Sequence, residues 1–262
     1  MDKENIDYVF GEQIVSMQQN DMDSSPVTVE FATGSKTSEY DLVVACDGAT
    51  SRTRAMGFEC SVREHVVPIN CWAAYFSTKQ DLLEGSKIGQ GYSAVGGRSI
   101  TIGSDLSGCS RVMLMGIHPR DKRDTTLPFH QASSQGDEAL KKYIAQHYRG
   151  VGWKTDIAIE EMMQSEDFYA SEIVQVKIPS LYKGRFVLVG DAGYSAGMTG
   201  GGTSLALSGA YYLAGELGKH TGDLPAGLRG DEDQMRPLIK DMQMIPPFFT
   251  TILAPQTVWG YG

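Results

Sequence analysis

Hydrophobic and polar residues alternate along the first part of the chain, which is typical of β-strands. Residues 13–17 and 27–31 follow this alternation, and residues 40–46 form a hydrophobic run after a turn at 33–35. These segments predict a β-meander. The run at 40–46 is apolar on both faces, so we expect it to lie inside a parallel or mixed sheet rather than at an edge.

A second region with strand-like patterning follows. Its predicted strands are residues 69–76, 99–102 and 111–117, separated by glycine-rich turns. Hydrophobic residues then recur with helical spacing at 137–148 and 153–164. We expect these helices to cover the second sheet.

The segment at residues 184–203 is the most informative part of the sequence. A buried strand ends at Gly190-Asp191, a glycine-rich loop leads to Gly200-Gly201-Gly202-Thr203, and a helix is predicted at 204–217. Consecutive glycines before a helix let its N-terminal amides approach an anionic or electron-rich oxygen. An aspartate at the end of a buried strand suits a ribose diol. A tight turn that Asp191 merely caps is the simpler alternative.

The run at 40–46 also ends in an aspartate, Asp47, which Gly48 follows. Hydroxyl residues and two arginines, Arg52 and Arg54, come next and could hold a phosphate or pair with carboxylates. The simpler interpretation is an Asp-Gly turn beside two solvated arginines.

Together the two segments resemble two fingerprints of the FAD-dependent aromatic hydroxylases, flavoprotein monooxygenases of the p-hydroxybenzoate hydroxylase type. The resemblance extends through residues 235–238 and 255–260. It implies that Asp191 holds the FAD ribose and that residues 200–202 face the flavin pyrimidine oxygen and the pyrophosphate. It links the Asp47 motif to both FAD and NADPH. The candidate cofactor-binding residues are therefore Asp47, Gly48, Arg52, Asp191, Gly200, Gly201, Gly202 and Thr203.

The resemblance also implies a mixed α/β fold. We expect the remnant of a Rossmann-like FAD-binding domain, interleaved with a β-sheet substrate domain covered by helices. The predicted boundaries are residues 1–64 plus 168–245 for the first domain and 65–167 for the second, with a C-terminal tail at 246–262.

Two features depart from the family pattern. The strand–turn–helix with Gly-x-Gly-x-x-Gly that binds the ADP half of FAD is not found, so we expect a shortened chain that binds FAD weakly on its own. The one similar string, residues 89–94, has no helix after it, and we interpret it as a flexible hairpin. The loop after Asp191 also lacks the prolines that usually precede the glycines.

Four functions are compatible with these patterns. The first is flavin-dependent oxygen insertion into an aromatic or polyketide-like molecule, and the second is a redox-neutral isomerase, cyclase or dehydratase in the same pocket. Residues 193–197 formally match the Gly-x-Ser-x-Gly of hydrolases, and a non-enzymatic remnant or binding subunit is the fourth reading. No catalytic residue is assigned. The candidate proton-transfer residues are His65, His118, Tyr75, Tyr92 and Tyr169.

Composition and charge limit the kinds of molecule that this chain is expected to bind. The 262 residues include 23 basic and 32 acidic side chains with no basic run, which excludes a nucleic-acid footprint. No apolar stretch approaches the ~20 residues of a membrane span, and the polar N-terminus lacks a secretory signal pattern, so we expect a cytoplasmic protein. The four cysteines form no metal-binding or disulfide pattern. The expected partner is a small molecule, while a homo-oligomer or a partner chain is left open.

Overall fold

The computed structural model describes residues 5–19, 25–34, 37–105, 108–119, 125–246 and 253–256. The described strands are β1 (Ile14–Gln19), β2 (Val27–Phe31), β3 (Ser38–Tyr40), β4 (Val43–Ala45), β5 (Val66–Thr78), β6 (Gln90–Ala94), β7 (Arg98–Ser104), β8 (Ser110–Ile117), β9 (Tyr169–Val176), β10 (Tyr182–Lys183) and β11 (Phe186–Leu188). The described helices are α1 (Arg52–Phe58), α2 (Leu127–Ser134), α3 (Asp137–His147), α4 (Thr155–Gln164), α5 (Asp191–Tyr194), α6 (Gly202–Lys219) and α7 (Leu224–Met242). The predicted mixture of helices and sheets is confirmed.

The chain divides into two compact units. The first unit comprises Met1–Val67 and Gln175–Met244, and the second comprises Pro68–Val174 and Ile245–Gly262. None of the helices in the described ranges is long and apolar enough to cross a membrane.

The first unit contains two small sheets. Strands β1, β2 and β3 form an antiparallel meander, as the alternating pattern predicts. The second sheet has the order β10-β11-β4, with β4 and β11 parallel. Its core is made by strand residues such as Val43 and Leu188 together with Leu205 and Met235 from α6 and α7.

The expectation of one buried strand at residues 40–46 is wrong. The segment breaks at Asp41 and Leu42, so that β3 joins the meander and β4 joins the parallel pair. Within the described sheet β4 is an edge strand, and its Val44 side chain is 42% exposed. Residues 40–46 therefore contribute to a strand in each of two sheets instead of forming one central strand.

The second unit contains a five-stranded sheet in the order β6-β7-β8-β5-β9. Helices α2, α3 and α4 cover one face, where Trp72, Phe76 and Leu114 pack against Phe129 and Ile144. This confirms the predicted helix-covered sheet.

The glycine string at 89–94 lies in β6, which pairs antiparallel with β7, so the predicted hairpin is also confirmed. Leu253 and Gln256, from the predicted C-terminal tail, hydrogen-bond to this unit. The Leu253 carbonyl accepts from Ser93 Oγ at 2.5 Å, and Gln256 Nε2 donates to the Ile117 carbonyl at 2.8 Å. Residues 257–260, which contribute to the family resemblance, lie outside the described ranges.

Candidate cofactor site

The two aspartate motifs meet at one edge of the β10-β11-β4 sheet. Strands β4 and β11 run parallel with Ala45 opposite Leu188, and the Val189 amide donates to the Ala45 carbonyl at 3.0 Å. Asp47 and Asp191 follow the carboxyl ends of these paired strands. In open α/β sheets, ligands bind at this end of the strands.

Asp47 organises the loop that leads into α1. Its carboxylate accepts hydrogen bonds from the Ser51 hydroxyl and from the Thr53 amide and hydroxyl, at 3.1 and 2.9 Å for Thr53. Burial would raise the pKa of Asp47, but these hydrogen bonds outweigh it and lower the pKa. Gly48 has a φ of +84°, which suits the turn closed by the hydrogen bond from the Ser51 amide to the Gly48 carbonyl. Much of the acceptor capacity of Asp47 is thus used inside the chain.

Asp191 is in a different environment. It is the first residue of the short helix α5 and is exposed, although neighbouring atoms bury part of its carboxyl group. This burial raises the pKa of Asp191, and a hydrogen bond with Ser195 opposes the rise only in part. A partly desolvated carboxylate with Ser195 as its protein partner is suited to accept hydrogen bonds from a ligand.

The N-terminus of α6 lies beside Asp191. A Cβ added at Gly202 would stand 3.8 Å from Asp191 Oδ1. Gly200 has a φ of +78° and open space where a Cβ would be, and Gly201 is the N-cap residue. Within the described part of the chain no side chain caps α6, so its first amides are available to an acceptor. Thr203 is exposed in the first turn.

Arg54, which the sequence analysis names beside Arg52 but leaves out of the candidate cofactor-binding residues, has a structural role at this site. It is completely buried, while Arg52, the arginine singled out from the sequence, is exposed at the first position of α1. Arg54 Nη1 donates to the Ala192 carbonyl at 2.6 Å, and Nη2 donates to the carbonyls of Ala49 and Val62 at 2.9 and 2.7 Å. One guanidinium therefore ties the Asp47 loop to the residue that follows Asp191.

Two buried polar groups lie near α6. The Tyr194 hydroxyl and Asp231 Oδ1 are both buried, and neither has a hydrogen-bond partner among the described residues. A Cβ at Gly209 of α6 would collide with the Tyr194 hydroxyl. The absence of a side chain at Gly209 therefore lets α6 approach Tyr194 closely.

A family model described as an FAD binding domain matches residues 2–224. The chain belongs to this family. Monooxygenase CTB7 of Cercospora beticola is 30% identical over 261 residues, which cover 98% of this chain and 61% of that protein. The FAD-dependent monooxygenase asL6 of Sarocladium schorii is 33% identical over 246 residues, covering 91% and 55%. The crystal structure of tetracycline destructase Tet(55) is 31% identical with a TM-score of 0.73, covering 94% of this chain and 61% of that one.

These matches confirm the predicted family resemblance. The chain spans between half and two thirds of the length of these relatives. The residues present also fit the cofactor for which the family is described, since Asp191 offers a carboxylate acceptor next to uncapped amides of α6. A ribose hydroxyl and an anionic oxygen are the partners that such a pair of groups prefers.

The candidate proton-transfer residues do not gather in one place. Tyr75 and Tyr169 stack on each other in the second unit, whereas Tyr92 stacks on Trp153. His118 lies against His147, with ring centroids 5.8 Å apart, and burial lowers its pKa. No catalytic acid or base is assigned from this arrangement.

The hydrolase alternative lacks the local geometry of a nucleophile elbow, in which a helix begins directly after the serine. Ser195 ends α5, and the first residue of α6, Gly202, comes seven positions later in the chain. His220 follows the last residue of α6, an 18-residue helix, which places it about 27 Å along the axis from the start of that helix. His220 Nε2 lies 3.8 Å from Glu216 Oε2. His220 therefore lies beside Glu216 at the end of α6 that is remote from its glycine-rich start.

Proposed function

We propose that this chain is the FAD-binding and substrate-binding part of a flavin-dependent monooxygenase that acts on an aromatic or polyketide-like small molecule. The main observation in support of this proposal is that Asp47 and Asp191 follow the carboxyl ends of the paired parallel strands β4 and β11. The family match covers both residues. We assign FAD to the first unit and the substrate to the second.

The roles of individual residues follow from their surroundings. Asp191 accepts hydrogen bonds from ribose hydroxyls, and the amides at the start of α6, with Gly200 leaving room, face electron-rich oxygens of the cofactor. Asp47 shapes the neighbouring loop, and Arg54 acts as a positioning residue that holds both loops together. When bound and reduced, FAD supplies the activation of O₂ for insertion into an electron-rich substrate. NADPH is the proposed reductant.

The substrate class rests on two lines of support. Relatives include fungal monooxygenases and an enzyme named for tetracycline, a polyketide. The second unit offers a broad sheet whose helix-free face carries several apolar and aromatic side chains. The architecture of the second unit therefore supports its assignment as the substrate-binding part of the chain.

The residue-level test compares variants in an FAD titration followed by flavin fluorescence. Asp191→Asn removes one charged acceptor, and we expect FAD affinity to fall by about 10- to 150-fold, since a hydrogen bond to a charged group contributes about 1.5–3 kcal/mol. The control is Asp41→Asn, which changes an exposed aspartate just before β4 and should bind FAD like the parent.

A second comparison tests positioning. Arg54→Met leaves three carbonyls without their donor, whereas Arg52→Met changes only an exposed side chain of the same helix. We expect Arg54→Met to lose FAD affinity and Arg52→Met to keep it. Equal affinity of Asp191→Asn and the parent would refute the assigned role of Asp191.

A further inference from the structure

A cavity of about 550 Å³ lies in the first unit, between helix α7 and the segment that follows β9. We call it the α7 cavity. Val176, Leu181 and Ile239 contribute to its lining, and all three are buried hydrophobic residues. A cavity of this volume with apolar walls is typical of sites that hold small molecules.

The α7 cavity is separate from the candidate cofactor site. Gly193 of α5 belongs to its lining, whereas Asp191 and the other candidate cofactor-binding residues do not. Residues two positions apart in a helix are about 200° apart around its axis, so Gly193 faces away from Asp191. The cavity therefore lies behind the segment that presents Asp191, and a molecule inside it would not occupy the place assigned to FAD.

Hydrogen bonds hold the walls of the α7 cavity in place. Arg236 Nη1 donates to the Ile178 carbonyl at 2.9 Å. Gln243 Nε2 donates to the carbonyls of Val176 and Ser195, at 2.8 and 3.1 Å. These contacts tie α7 to the segments on the other side of the cavity. Because the walls are fixed by the fold itself, a ligand would not have to order them on binding.

The charge of the lining indicates the kind of ligand. Lys177 and Lys240 line the cavity with exposed side chains, and neither forms an ion pair within the described part of the chain. Arg236 differs from them, because Glu232 compensates its charge. None of the lining residues is an acidic residue that could pair with the two lysines. The cavity thus carries two uncompensated positive charges in a chain whose net charge is −9.

We propose that the α7 cavity is a second small-molecule site, which binds an organic anion with an apolar body. Lys177 and Lys240 hold its carboxylate or sulfonate group, while the buried walls hold the apolar part. Apolar burial supplies most of the affinity, since exposed ion pairs contribute little, and the two lysines select the anion over a neutral molecule of the same shape. The site is additional to those of FAD and the substrate, and it does not depend on the proposed function.

The test is a fluorescence titration with 8-anilinonaphthalene-1-sulfonate, repeated with N-phenyl-1-naphthylamine, which has the same rings and no sulfonate. The double variant Lys177→Met/Lys240→Met keeps unbranched side chains and removes both charges. The matched control is Lys183→Met/Arg229→Met, which removes two charges from exposed residues of the first unit that do not line the cavity.

We expect the parent to bind one molecule of the sulfonate probe per chain with saturation. The Lys177→Met/Lys240→Met variant should bind it about fivefold more weakly, because two exposed ion pairs are lost, and the control variant should bind it within about twofold of the parent. The neutral probe should bind the parent and both variants within about twofold of each other, since its contacts are apolar. Saturating FAD should leave the sulfonate probe in place.

Absence of saturable binding by the parent would overturn the proposal, as would equal weakening by the control variant or displacement of the probe by FAD. A loss of the neutral probe as large as the loss of the sulfonate probe would also contradict it, because the lysines would then be supporting the walls and not selecting an anion. Far-UV circular dichroism checks folding. Lys240→Met alone repeats the comparison if the double variant does not fold, with Arg229→Met as its control on the same helix.

Discussion

Asp231 provides a prediction that depends on a single buried group. This residue of α7 is only 2% exposed, and its Oδ1 has no hydrogen-bond partner in the described part of the chain. Burial, followed by the nearby carboxylates of Glu232 and Glu216, raises the pKa of Asp231 from 3.8 to about 7. The perturbation we consider is Asp231→Asn, which keeps the shape and removes the charge.

The direction and magnitude of the change in the free energy of unfolding follow from proton linkage. A raised folded-state pKa means that the contribution of Asp231 to stability is fully present below pH 3.8 and is lost as the pH rises through 7. A rise of about three pKa units corresponds to about 4 kcal/mol lost above pH 7. Asp231→Asn should therefore be more stable than the parent by about 4 kcal/mol at pH 8, and by only about 1 kcal/mol at pH 4.5.

Urea unfolding followed by circular dichroism at 222 nm measures both free energies. Asp233→Asn is the matched control, because Asp233 is exposed on the same helix. It should change the free energy of unfolding little at either pH. Equal stability of Asp231→Asn and the parent at pH 8, or a difference that does not vary with pH, would refute the reasoning.

Two further predictions concern α6 and the second unit. Gly209→Ala should lower the free energy of unfolding by about 1–3 kcal/mol, because the added methyl group meets the Tyr194 hydroxyl. Gly215→Ala, whose methyl group meets nothing within 4 Å, should raise the free energy of unfolding by about 0.5–1 kcal/mol. Urea unfolding of both variants measures these changes, and equal effects of the two substitutions would contradict the prediction. Burial, His118 and Arg98 lower the pKa of His147 to about 4, so the protein should lose about 3 kcal/mol of stability as the pH falls from 6.5 to 4. His147→Phe should remove most of that loss in acid titrations, and a variant as acid-sensitive as the parent would contradict the assignment.

The local pattern of hydrophobic and polar residues is sufficient to predict those elements whose burial in the structure follows that pattern. The alternation at residues 27–31 predicts β2, and the buried hydrophobic run before Asp191 predicts β11. These features depend on short-range chemistry, which the sequence displays directly.

The missed features depend on tertiary packing. Nothing local distinguishes Arg52 from Arg54, because only the docking of α1 on its neighbours decides which guanidinium is buried. The break between β3 and β4 likewise arises from the choice of pairing partners, since both halves are good strand formers. The patterns also leave α7 unassigned; Pro237 lies inside this helix, where a proline usually ends or kinks the helix.

The most direct test of the central claim is a titration of the parent chain with FAD, followed by flavin fluorescence and by the visible absorption spectrum. The account predicts saturable binding of one FAD per chain at micromolar concentration or below, with a shifted flavin spectrum. A chain that is folded by circular dichroism and yet gives no saturable FAD binding would contradict it.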